Sequence, residues 1–135
     1  MIGIRLYTGP AYVPINGGLR AGGKHRKDKK VMNFPVTCSV INSAIRKLSQ
    51  VTPIADGRRL YRGLSGMRIN DETLKDRDFV EFGFSSATTD RDVALQYATK
   101  GKSLSTLFEI EIGKIDNGAA LDEYSQCVSP RRFQP

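Results

Sequence analysis

Residues 103–113 alternate with a period of two: Thr106, Phe108, Ile110 and Ile112 fall on one side, and Leu107, Glu109 and Glu111 on the other. That pattern is a strand with one face buried and one face wet. A lone strand is not stable, so it commits the chain to a sheet and to an apolar layer against it. Two further stretches read as extended. Leu60-Tyr61-Arg62-Gly63-Leu64 is a short apolar run with an arginine set inside it. Residues 79–89 place Phe82 and Phe84 on one face and end in a hydroxyl row, Ser85-Ser86-Ala87-Thr88-Thr89.

Helical periodicity appears twice. Val36, Val40, Ile41, Ala44, Ile45 and Leu48 line one face of a helix whose first turn holds Pro35. Ile45 and Leu48 are its expected core residues, with Arg46 and Lys47 in the last turn, where they suit the helix dipole. Asp90 reads as the N-cap of a second helix, with Asp92 in the first turn, Val93, Leu95 and Tyr97 on the apolar side and a stop near Gly101. Residues 13–20 contain Pro14, Gly17 and Gly18. Each glycine costs about 1 kcal/mol in a helix relative to alanine, so only a weak helix is expected there. Thr52-Pro53 and Asp56-Gly57 read as breaks, and residues 70–78 as a loop or loose turn. The succession helix, strand, strand, helix, strand, without a βαβ rhythm, predicts an α+β domain.

Charge narrows the choice of partners. Residues 1–50 hold nine Lys and Arg against one acid, whereas residues 51–135 hold twelve against thirteen. The excess sits in the run from 20 to 30, which reads either as a patch for an acidic partner or nucleic acid or as a solvated loop. It has no interleaved aromatics to stack bases, so the loop reading is preferred and nucleic acid is not expected. His25 has no second ligand beside it, so no metal is expected. No stretch approaches the roughly 18 apolar residues of a spanning helix, and no secretory leader is visible. The expectation is a cytoplasmic monomer without membrane contact, with Cys38 and Cys127 as free thiols.

The chemistry-bearing types converge on two places. Arg62 can present a planar fork to phosphate or carboxylate oxygens. Gly63 lets a flat amide approach the backbone. Ser86 and Thr88 project from one face if their segment stays extended. The structural alternatives are an arginine paired with a carboxylate and a hydroxyl row that merely ends a strand. A literal E-x-E pair, Glu109 and Glu111, lies on one face of the alternating strand.

The order of motifs resembles the arginine-type mono-ADP-ribosyltransferases, the R-S-E class that includes cholera-toxin-like toxins and the eukaryotic ADP-ribosyltransferases. The residues that carry the likeness run along most of the chain. They are Tyr7-Thr8-Gly9-Pro10, Tyr61-Arg62-Gly63, and the stretch Phe82-Gly83-Phe84-Ser85-Ser86-Ala87-Thr88-Thr89-Asp90 leading to Val93-Ala94 and Tyr97. Phe108-Glu109-Ile110, Ile115-Asp116-Asn117-Gly118-Ala119 and Ser125-Gln126 complete it.

The resemblance implies a split mixed or antiparallel sheet as an NAD-binding core, with helices at the N-terminus. It also implies NAD as co-substrate and a protein with an exposed arginine as acceptor. Arg62 would bind NAD, Gly63 would hold the nicotinamide amide through its backbone, and Ser86 and Thr88 would support the site, with Ala87 replacing the usual middle hydroxyl.

The resemblance also places two glutamates shortly after Ser125-Gln126, one to stabilise the oxocarbenium-like transition state and one to orient the acceptor. Residues 127–135 contain no Asp or Glu. The expected organisation is therefore a domain over 1–126 and a divergent tail over 127–135, as a frame change or truncation would produce, with weak or absent turnover. By position Glu109 belongs to the strand before the catalytic loop and Glu111 reads as a solvent-facing residue. They remain weak candidates for the catalytic pair. The alternative function is a non-catalytic module that engages an acidic partner or nucleic acid through the 20–30 run.

Overall fold

A computed structural model describes residues 2–21, 34–69, 80–101, 104–113, 118–121 and 124–126. These hold four helices and a two-stranded antiparallel sheet, an α+β arrangement with the helical segments first. The chain divides into two compact units, Met1–Ile54 with Asn117–Pro135, and Ala55–Asp116.

In the first unit, α1 (Ile2–Thr8) buries Ile4 and Tyr7, one turn apart, and packs on α3. The Gly9-Pro10 turn leads into α2 (Tyr12–Ala21). This is a full ten-residue helix where the glycines predicted a weak one. Burial explains the difference, because Ile15 and Asn16 are almost completely covered, and the amide of Asn16 reaches the Tyr7 hydroxyl. Pro14 falls in the first turn, where its missing N–H breaks no intrahelical bond.

The third helix, α3 (Pro35–Val51), begins with Pro35 at its first position, as expected. It runs a turn further than the charge pattern suggested, so Arg46 and Lys47 are not in its last turn. Thr52 stops it: its N–H and its hydroxyl both donate to the Leu48 carbonyl, at 2.7 and 2.9 Å. Pro53 then disfavours continuation. The buried positions are Ile41 and Leu48, two turns apart, whereas Ile45 is half-buried and Val36 is exposed. Cys38 is a half-buried free thiol whose pKa burial pushes up. Cys127 and the loop expected over 70–78 lie outside the described residues. No helix among the described residues is long and apolar enough to cross a membrane.

In the second unit, Gly57 takes a left-handed turn (φ +73°) that launches β1 (Arg59–Ser65). β1 pairs antiparallel with β2 (Ser105–Glu111), Tyr61 opposite Glu109 and Gly63 opposite Leu107. Helix α4 (Arg91–Thr99) packs on β1 and is capped as predicted: an Asp90 carboxylate oxygen accepts from the backbone N–H of Asp92 and Val93. Its buried residues are Ala94 and Ala98, while Val93 and Leu95 are half-buried and Tyr97 is half exposed under the Lys100 ammonium. The small residues mark the contact because the helix lies directly against Gly63. A Cβ there would overlap the Ala94 carbonyl oxygen and stand 2.8 Å from the Ala98 nitrogen.

Candidate functional site

The pleat sorts the second unit's polar residues onto two faces. Tyr61 exchanges both backbone hydrogen bonds with Thr88, at 2.7 and 2.9 Å, on the edge of β1 away from β2. Odd-numbered β1 residues therefore direct their peptide groups to that edge, and even-numbered ones to β2. Gly63 is two residues along from Tyr61, so its N–H and C=O face the same edge. Side chains follow their own alternation. Gly63 and the residues in phase with it, including Glu109 and Glu111 by register, point to the α4 face, while Arg62 and Phe108 point to the other.

Arg62 is well covered, its side chain 16% exposed. One terminal nitrogen, Nη1, donates to the Ser86 carbonyl at 2.8 Å. The other, Nη2, stands 3.8 Å from a carboxylate oxygen of Glu81, too far for a hydrogen bond but within ion-pair reach. The second Glu81 oxygen accepts from the Gly83 N–H at 2.9 Å, fixing the carboxylate to its own loop. That closure interrupts the extended segment expected over 79–89. Among the described residues there, only Thr88 makes a bridge, and Phe82 is 69% exposed, not paired with Phe84 in a buried face.

The hydroxyl row acts through different atoms from those its spacing suggested. Ser86 meets Arg62 with its backbone carbonyl. Thr88 is half-buried, and its hydroxyl oxygen accepts from the Asp90 N–H at 3.1 Å, which ties the row to the start of α4. The Arg62 guanidinium thus meets Ser86, and the Gly63 peptide faces the edge of β1 that Thr88 bridges. Glu109 and Glu111 are not brought to Arg62. They lie on the opposite face of the sheet, both exposed, and Glu109 pairs with Arg59 at 3.0 Å with side chains 51% and 64% exposed.

Two arrangements were missed from sequence. Glu81 stood in the extended segment, and no role was read for it. In the first unit, the Thr8 hydroxyl donates to the Ile4 carbonyl at 3.0 Å and accepts from the Gln126 N–H at 2.9 Å. A Cβ on Gly9 would collide with the Gln126 side-chain oxygen. The Thr8-Gly9 and Ser125-Gln126 motifs, more than a hundred residues apart, therefore touch. The basic run lies almost wholly outside the described residues.

A family model described as NAD:arginine ADP-ribosyltransferase matches residues 1–128. Searches of curated proteins and of solved structures returned no match.

Proposed function

The chain belongs to the NAD:arginine ADP-ribosyltransferase family, and from that premise we propose that it holds NAD along the β1 edge as a protein-arginine mono-ADP-ribosyltransferase domain whose binding exceeds its turnover. The observation that carries the reading is the guanidinium of Arg62, mostly covered and fixed by the Ser86 carbonyl, with further N–H groups left for an anion. An arginine fork suits the two oxygens of a pyrophosphate, and partial burial strengthens that contact relative to water. The Gly63 N–H and C=O, directed to the same edge, match the acceptor and donor of a carboxamide. Ser86 supplies the carbonyl that orients Arg62, and Thr88 holds the segment against β1.

NAD serves here as co-substrate. In the family's reaction the bond from ribose to nicotinamide breaks, nicotinamide leaves with the electron pair, and a guanidinium nitrogen of the acceptor attacks the cationic carbon and loses a proton. A carboxylate must stabilise that cation as it forms. Residues 127–135 offer none, and Glu109 and Glu111 lie on the face away from Arg62. Glu81, 3.8 Å from Arg62, is tied to the Gly83 N–H, so within residues 1–135 the site favours binding over turnover. Saturating NAD should raise the thermal midpoint of the wild type, since a ligand of the native state stabilises it. Arg62→Ala should remove the shift, and an arginine-acceptor assay should show slow or no release of nicotinamide. An unshifted wild type contradicts the binding claim, and brisk Arg62-dependent turnover contradicts the limit on catalysis.

A further inference from the structure

We infer that Glu81 sets the affinity of the Arg62 site for anions, acting as a built-in counter-charge that the incoming pyrophosphate must share the guanidinium with. This rests on the reading of Arg62 as the anion-binding residue. Among the described residues, Glu81 is the carboxylate within ion-pair distance of Arg62, at 3.8 Å. Both side chains are mostly covered, 16% and 21% exposed, so solvent screens the pair less than it screens the pair on the other face. The carboxylate is not free to swing toward the guanidinium and hold it, because Oε1 is bound to the Gly83 N–H.

Arg62 donates instead to the Ser86 carbonyl, at 2.8 Å. Glu81 therefore contributes a fixed negative charge without a hydrogen bond to the arginine. A fixed charge of this kind offsets part of the positive potential offered to a phosphate ligand and opposes the approach of a second negative group. The effect falls on charged ligands and spares neutral ones.

Glu81→Gln isolates the charge, since the amide oxygen can still accept from Gly83. Titration calorimetry at low salt, with NAD, inorganic pyrophosphate and nicotinamide as separate probes, decides the matter. The variant should bind NAD and pyrophosphate about fivefold more tightly than the wild type, with nicotinamide unchanged. Raising the salt should shrink the difference. Glu81→Ala, which also loses the Gly83 contact, serves if the first variant melts early, and it should tighten pyrophosphate in the same direction. Weaker or unchanged pyrophosphate binding in the folded variants overturns the inference, and so does equal tightening of nicotinamide. Arg62-dependent pyrophosphate binding without NAD binding would sink the proposed function while leaving this inference to the pyrophosphate result. Absence of any Arg62-dependent anion binding would sink both.

Discussion

The two faces of the β1–β2 sheet each carry an arginine beside a glutamate, one pair short and exposed, the other longer and covered. Arg59 and Glu109 meet at 3.0 Å, but more than half of each side chain is exposed, so water and salt offset most of the attraction. Arg62 and Glu81 stand 3.8 Å apart under cover, where charge acts over a longer reach. The first pair decorates the face that α4 packs on. The second sits where a backbone carbonyl already orients the guanidinium. Distance and exposure therefore run in opposite directions in the two pairs, and only the covered arginine has a backbone carbonyl fixing its guanidinium among the hydrogen bonds described.

That contrast can be broken at several points. Gly63→Ala should be the most damaging change, because the added methyl meets the backbone of α4 at Ala94 and Ala98. A loss of at least about 3 kcal/mol in urea unfolding is expected; a loss under about 1 kcal/mol would mean that α4 can move off β1 cheaply. Arg62→Lys should keep the charge and lose the fork, weakening NAD about tenfold or more while moving the unfolding midpoint little. Asp90→Ala removes the acceptor for two N–H groups of α4, and thermal melts should show a loss of about 1 kcal/mol. Glu109→Gln should cost less than about 0.5 kcal/mol and leave NAD affinity as it was. A larger effect on NAD would move the site to the other face.

What was legible in the sequence was mostly local. The Asp90 cap, the start of α3 at Pro35 and the alternation of β2 each depend on residues within a turn or a few positions of one another. The helical start of the chain was legible only in part: the resemblance implied helices at the N-terminus and residues 13–20 read as a weak one, but neither the place of α1 nor the full length of α2 was visible. The seven residues of α1 and the glycine-bearing α2 are stabilised by burying Ile4, Tyr7, Ile15 and Asn16, a tertiary effect that overrides propensity. The contact face of α4 was misjudged for a related reason. Ala94 and Ala98 become the buried pair only because Gly63 on the facing strand lets the backbones approach. At the candidate site, Arg62 and Gly63 stood out by type. Ser86 and Thr88 stood out as well, but their working atoms did not, since a carbonyl and a capping hydroxyl leave no trace in spacing. Glu81 was invisible because its part depends on a loop closing back on Gly83.

Calorimetric titration of NAD into the wild type, Arg62→Ala and Arg59→Ala tests the assignment of the site most directly. The account predicts saturable binding to the wild type, its retention in Arg59→Ala and its loss in Arg62→Ala. Equal affinity in all three proteins, or loss in Arg59→Ala with retention in Arg62→Ala, would contradict it.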